Sequence, residues 1–303
     1  MPKCQKPKGT VLQYVSDLII RGIIATCLFM PLSLRLRMMG IFLRSVVSPS
    51  IGYKERALNN LSYIYPEMPI QEKTRIADAV SDNAGRTFIE NYDILSLKAR
   101  LRHIPIQGEG FLALKKAHAA GQPVLLVTGH FGNFEAPRAA LVGLGYEIGG
   151  LYRPMANPYF NAHYADNMHR LSGPVFEQGR RGTTGLFRHI KHGGMGVLLF
   201  DIYDRKGTPI DFLGQPAPTL TSAAEIAIKT NAVLITMFGV RKQDGMNFDI
   251  ILEAPITHSN PLDMTIEMTQ RLEKMVKQFP EQWFWIHRRW KPERRMSIEG
   301  GGN

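Results

Sequence analysis

The residue types best suited to chemistry stand in one short run, Val124-Leu-Leu-Val-Thr-Gly-His-Phe-Gly-Asn-Phe-Glu135. An apolar strand leads into Gly129-His130, and Glu135 follows the histidine by five positions. Five helical steps would set the two side chains about 140° apart, so they meet only if His130 lies on a strand-to-helix turn. Gly129 and Gly132 make such a turn easy. A carboxylate held against one imidazole nitrogen fixes the tautomer and makes the other nitrogen a better base, an arrangement for deprotonating a hydroxyl. No serine or cysteine accompanies the pair in a recognisable nucleophile elbow, which favours direct transfer without a covalent enzyme intermediate. The same spacing also fits a histidine capping a helix and a glutamate favoured by the helix dipole. Asp201 ends a predicted strand and is a weaker candidate for binding substrate; it equally fits a cap or turn acid. His103, His118, His163, His169, His189 and His258 are scattered, and His130-x4-Glu135 lacks the i, i+4 ligand geometry of a helical zinc site. No metal or other cofactor is expected.

Such residues need a scaffold, and the chain supplies an alternating one. Strands are predicted over 104–107, 124–128, 146–151, 174–177, 197–201, 232–238 and 247–252. Helices are predicted between them over 110–120, 136–143, 157–171, 183–191 and 220–230, with a last one over 261–279. This alternation predicts an α/β fold with a central, parallel or mixed sheet flanked by helices. In open sheets of this kind sites form beyond the carboxyl ends of the strands, where His130 and Asp201 both fall. A helical lead-in precedes the sheet, with helices over 53–64 and 71–97.

The first fifty residues carry seven basic side chains and one acid, Asp17. Residues 10–34 are mostly apolar, interrupted by Asp17 and Arg21, and the uncharged stretch 22–34 is only thirteen residues long. A full membrane span needs about 20 apolar residues. Thr10, Gln13, Asp17 and Arg21 form one polar stripe on a helix with basic flanks, which predicts an interfacial, partly inserted helix. A helix buried against the same chain is the alternative. The breaker cluster Ser48-Pro49-Ser50-Ile51-Gly52 divides an attachment region, 1–50, from a catalytic unit, 51–303, with the lead-in over 51–103.

Composition narrows the class. Of 303 residues, 44% are hydrophobic and 21% charged, which excludes wholesale disorder, and a mean hydropathy of -0.13 excludes a multi-span membrane protein. The net charge of +11 favours anionic partners. Two basic clusters contribute: Arg180, Arg181, Arg188 and Lys191, then His287-Arg-Arg-Trp-Lys-Pro-Glu-Arg-Arg295. Trp283, Trp285 and Trp290 lie beside the second, suiting either a lipid headgroup boundary or the core. No nucleic-acid-binding module is recognisable, so nucleic acid is not an expected partner. Cys4 and Cys27 form no redox or metal spacing.

Several blocks resemble a known family in order. His130-Phe-Gly-Asn-Phe-Glu135 is similar to the His-x4-Asp/Glu motif of the lipid A biosynthesis acyltransferases, the late lauroyl/myristoyl transferases. Arg56-Ala-Leu-Asn-Asn-Leu61, Tyr65-Pro66-Glu67, Asn83 to Glu90, Tyr152-Arg153-Pro154 with Asn157-Pro158, Leu199-Phe200-Asp201, Phe212 to Ala217 with Thr219, and Pro280 to Lys291 resemble further blocks. The sequence departs from the family after Asp201, where Ile202-Tyr203 replaces a more usual polar run.

The resemblance implies a fold similar to glycerol-3-phosphate acyltransferases and a membrane-associated enzyme at the cytoplasmic face of the bacterial inner membrane. It implies transfer of a fatty acyl chain from an acyl carrier protein thioester to a hydroxyl of a lipid A precursor. His130 would be the base and Glu135 its orienting partner. Arg153 would bind acceptor phosphate or stabilise the oxyanion, or else serve a structural ion pair. An anionic membrane surface is a further expected partner. Acylation of another glycolipid or phospholipid, and a non-catalytic membrane-binding scaffold, are the alternative readings.

Overall fold

The computed structural model describes residues 8–291. Lys3, Cys4, Lys6, Arg294, Arg295 and the tail 300–303 therefore lie outside the described residues. The strands are β1 (Ile106–Gln107), β2 (Val124–Thr128), β3 (Ile148–Tyr152), β4 (Val175–Glu177), β5 (Met195–Leu199), β6 (Thr208–Phe212), β7 (Gln215–Thr219), β8 (Val233–Arg241) and β9 (Phe248–Leu252). Seven of them form one sheet in the order β1-β9-β8-β2-β5-β3-β4. The pairings from β8 to β4 are parallel and β8 runs antiparallel to β9, so the sheet is mixed.

β2 lies at the centre, every residue of it buried, as a parallel strand covered on both faces must be. Its side chains alternate: Leu125 and Val127 join one apolar cluster, Val124 and Leu126 the other. The first face is covered by α4 (Tyr53–Ile64), α5 (Ile70–Tyr92), α10 (Arg180–Lys191), α11 (Ser222–Thr230) and α12 (Pro261–Gln278). The second is covered by α6 (Ile94–Leu101), α7 (Gly110–Ala119) and α8 (Ala136–Gly143). α9 (Pro158–Leu171) follows β3.

Three departures from the sequence reading have physical causes. The single helix predicted over 71–97 is two, divided at Asp93, whose backbone leaves the helical region (φ -106, ψ 43). Ile76 and Val80 of α5 belong to one face of the sheet and Leu97 and Leu101 of α6 to the other, so the axis has to turn between them. The β6–β7 hairpin was not predicted, because Pro209, Pro216 and Pro218 mask any strand pattern. These prolines are tolerated because the hairpin is two-stranded, with an outer edge on each strand. Its turn, Leu213-Gly214, has positive φ at both residues (57° and 78°), the two-residue hairpin geometry.

The third departure is that the apolar stretch 10–34 is not one helix: the first helix ends at Leu28 and a second starts after Pro31, which has no N–H to continue the first. α1 (Val11–Leu28) starts at a capping box between Thr10 and Gln13 and ends before Pro31. α2 (Leu32–Phe42) then continues through a π-helical turn, Leu43–Val47, into the single turn α3 (Ser48–Ser50), before Gly52 in the left-handed region starts α4.

Candidate active site

β2 and β5 are neighbours in parallel register, with Thr128 opposite Leu199. Carried two residues past the strand ends, that register sets His130 opposite Asp201. The His130 Nδ1 lies 2.7 Å from Asp201 Oδ1, and the His130 backbone N–H donates to Asp201 Oδ2 at 2.8 Å. The indole N–H of Trp283 donates to the same oxygen at 2.9 Å. Asp201 is fully buried. Burial by itself would push its carboxyl up, but the His130 imidazole, the hydrogen bonds from that residue and the nearby His287 together hold it below the usual carboxylate range. The His130 side chain is 23% exposed. With Nδ1 engaged, Nε2 is the nitrogen left to meet a substrate.

Glu135 does not hold the imidazole. Its carboxylate faces Arg138 Nη1 at 3.4 Å, and the buried Arg138 guanidinium also donates to the carbonyls of Ile148 and Ser172. The expected His130–Glu135 contact is thus replaced by His130–Asp201. The reason is local: Glu135 is the residue that opens α8, and the turn points it toward β3. The nearby Tyr164 phenol is pushed up to about 12, first by its burial and next by the Glu135 charge.

The turn is fixed from three sides. Gly132 has φ +55, and a Cβ there would lie 1.9 Å from the Gly239 carbonyl oxygen. Its own N–H donates to the Gln282 carbonyl at 2.8 Å, and its carbonyl accepts from Asn83 at 3.0 Å and Thr87 at 3.2 Å. The Phe284 N–H donates to the His130 carbonyl at 2.9 Å. Behind the turn, the buried Glu90 receives Arg241 Nη1 and Nη2 at 3.0 and 2.7 Å and the Asn133 amide at 2.9 Å. Arg100 Nη2 also stands 3.5 Å from Glu90 Oε1, though its Nε is buried without a partner.

Around the imidazole stand the rings of Phe134, Phe284 and His287, the last with its centroid 4.3 Å away and its plane at 76°. Burial, then repulsion from His130, lower the His287 imidazole to about 3, so it stays neutral. Its Nε2 is buried without a partner. All three tryptophans are buried: Trp283 and Trp290 pack with Phe212, and Trp285 packs on both of them, so core packing, not a headgroup boundary, is what they do. Arg289, also buried, donates to the Pro218 carbonyl and Thr219 hydroxyl, so part of the second basic cluster is internal.

Arg153 stands one residue past β3, exposed and in no ion pair among the described residues. The β3–β5 register, Gly150 opposite Val197, carries it to the level of Phe200, next to Asp201. Only β5 intervenes between β3 and β2, about 10 Å across at ordinary strand spacing. His130, Asp201 and Arg153 therefore share one sheet edge. A recess of about 1060 Å³ lined by Arg86, Arg241, Asp244 and Gln282 includes none of these three.

The sequence reading names His287, Trp283 and the Asn83–Glu90 block but assigns them no place at the site, and it leaves out Arg241. Strand register is the signal for Asp201; the others touch the site through long-range packing that no local pattern carries.

A family model described as bacterial lipid A biosynthesis acyltransferase matches residues 3–292. The chain belongs to that family. It is 22% identical over 263 residues to a lipid A biosynthesis acyltransferase of Haemophilus influenzae, covering 85% of this chain and 82% of the relative. It is 26% identical to the lipid A biosynthesis lauroyltransferase of Escherichia coli K12, covering 77% of each chain. The lipid A biosynthesis palmitoleoyltransferase of the same strain is 24% identical, with 84% of each chain covered. The His130–Glu135 and Leu199–Asp201 blocks meet in space, and the Pro280–Lys291 and Asn83–Glu90 blocks reach the same turn through Trp283 and Asn83.

Proposed function

We propose that this member of the family moves a fatty acyl chain from an acyl carrier protein thioester to a hydroxyl of a lipid A precursor, at the cytoplasmic face of the inner membrane. The observation that carries the reading is the buried Asp201 carboxylate seated against His130 Nδ1, with the other imidazole nitrogen toward the open edge. Asp201 fixes the tautomer in which Nδ1 carries the proton, and Nε2 accepts the proton of the acceptor hydroxyl. The hydroxyl oxygen attacks the thioester carbonyl carbon. As the tetrahedral intermediate collapses, the carbon–sulfur bond breaks and the departing thiolate receives the proton from His130.

Glu135 acts at one remove: with Arg138 it ties the start of α8 to β3 and the Ser172 loop. Arg153 meets a phosphate of the acceptor, for which an unpaired guanidinium at the edge is suited. The +11 charge supports docking of an acidic carrier and of anionic lipid.

The test is to incubate the protein with acyl carrier protein thioesters and a phosphorylated lipid A precursor and to weigh the lipids. The expected product is the precursor heavier by one acyl chain. Acylation only of a phospholipid or another glycolipid would change the acceptor. Vesicle binding without product from any donor and acceptor would reduce the protein to a scaffold.

A further inference from the structure

α1 is the one described helix long and apolar enough to cross a membrane, but its packing is wrong for a span. At 18 residues it is about 27 Å long. One side of it is held at both ends. Asn157 Nδ2 donates to the Gln13 carbonyl at 2.7 Å and reaches Ser16 Oγ at 3.0 Å, and the Tyr14 and Tyr159 rings meet at 5.3 Å. Asp17 is buried, and Ile24 and Cys27 share an apolar cluster with Leu36, Met39, Ile89 and Phe160. The helix beside it, α9, carries His163, Asp166, Asn167, His169 and Arg170. A spanning α1 would take these groups into hydrocarbon, where unpaired polar groups are strongly unfavourable.

The opposite face is apolar and uncovered. Leu12, Val15, Leu18, Ile19 and Ile23 are exposed on α1, and Phe29 is 92% exposed at the bend. Beyond Pro31 the apolar surface resumes: Leu34, Met38, Ile41, Phe42 and Val46 form an i, i+4 stripe along α2 and the π turn. The other side of α2 is pressed on α5, where a Cβ on Gly85 would lie 2.4 Å from the Met39 carbonyl oxygen. From Val11 to Ile51 the exposed charged residues are Arg21, Arg37 and Arg44, and both remaining charged residues, Asp17 and Arg35, are buried.

We propose that residues 11–51 dock as a shallow two-helix wedge in one anionic leaflet, α1 lying along the interface and α2 with its π turn supplying the second contact. The N-terminus then stays on the same side as the sheet. Apolar insertion and arginine attraction act together, as in interfacial helices. Because Asn157 and Tyr159 also hold α1, the Arg153 loop lies beside the lipid surface, at the depth of headgroups.

The inference rests on the membrane-attachment reading and is tested apart from the chemistry. In the full chain with Cys4→Ser and Cys27→Ala, Ile19→Cys and Ile41→Cys would each carry a fluorophore. Vesicles of phosphatidylcholine and phosphatidylglycerol would contain lipids brominated at shallow or deep chain positions. Shallow bromines should quench both probes more, and an N-terminal tag should remain open to protease added outside. Stronger quenching of the Ile19 probe by deep bromines, or a protected tag, would establish a span and overturn the proposal; an unquenched Ile41 probe would remove α2 from it. The triple variant Leu34→Gln, Met38→Gln, Phe42→Gln should bind these vesicles at least tenfold more weakly, with unchanged thermal unfolding and turnover on detergent-dispersed precursor. A folded triple variant that binds as well as the parent, or parent binding indifferent to phosphatidylglycerol, would count against the wedge. Absence of turnover in detergent by the parent would count against the acyltransferase reading and leave the wedge standing.

Discussion

The two loops that leave β2 and β3 at the same sheet edge are built on opposite principles. The turn after β2 is bonded to α5, to the Gln282–Phe284 segment and to Asp201, and its glycine has no room for a methyl group. The loop after β3 leaves Arg153 exposed with no ion pair among the described residues. The first has its geometry set before any substrate arrives, which a base must have to meet a proton within hydrogen-bond reach. Under the proposed function, the first loop holds the base and the second is ordered by the acceptor.

The largest effects should break the first loop. His130→Ala should cost about 10²–10⁴-fold in turnover. Asp201→Asn should fall in the same range, because the amide no longer favours the Nδ1–H tautomer. Steady-state rates on folded protein check both. Near-normal turnover of Asp201→Asn would return the orienting role to Glu135.

Gly132→Ala sharpens the contrast through stability. The left-handed φ and the clash with Gly239 should remove about 3 kcal/mol or more, seen as a lower denaturation midpoint. Glu135→Gln should cost roughly 2–4 kcal/mol by leaving the buried Arg138 charge without its carboxylate. The double variant Glu135→Gln, Arg138→Met should recover part of it. If it recovers none, Glu135 is needed for more than the ion pair.

The second loop should respond differently. Arg153→Lys keeps the charge and loses the planar fork, so KM for a phosphorylated acceptor should rise about tenfold at unchanged stability. A fall in kcat with KM unchanged would place Arg153 at the reacting atoms instead.

A separate effect concerns pH. His287 is lowered to about 3 in the folded protein, against roughly 6.5 unfolded. A depressed folded value means full stability above the unfolded value and progressive loss as pH falls toward 3. Between neutral pH and pH 5 this one group should account for roughly 2 kcal/mol of lost stability. His287→Asn should flatten the pH dependence by that amount in denaturant titrations; an unchanged slope would mean that His287 is not the group held neutral.

Much of the architecture could be read locally. Periodicity located six of the seven sheet strands within two or three residues, and β1 as the end of its predicted run, because apolar runs bounded by glycine and proline report burial directly. The β6–β7 hairpin escaped because its prolines carry no such signal. The helix break at Asp93 escaped because the apolar period continues across it while the face being covered changes.

The amino-acid sequence by itself determined that a histidine would stand on a glycine-rich turn at the carboxyl end of a buried strand. It also determined a basic chain with an amphipathic start. Those facts depend on residue type and short spacing. Which acid meets the histidine was decided only in three dimensions. Glu135 is five residues from His130 and Asp201 is 71 residues away, yet parallel pairing of β2 with β5 brings the distant acid into register and helix α8 carries the near one off toward Arg138. Proximity along the chain sets what can be near; strand register and the direction of the next helix set what touches.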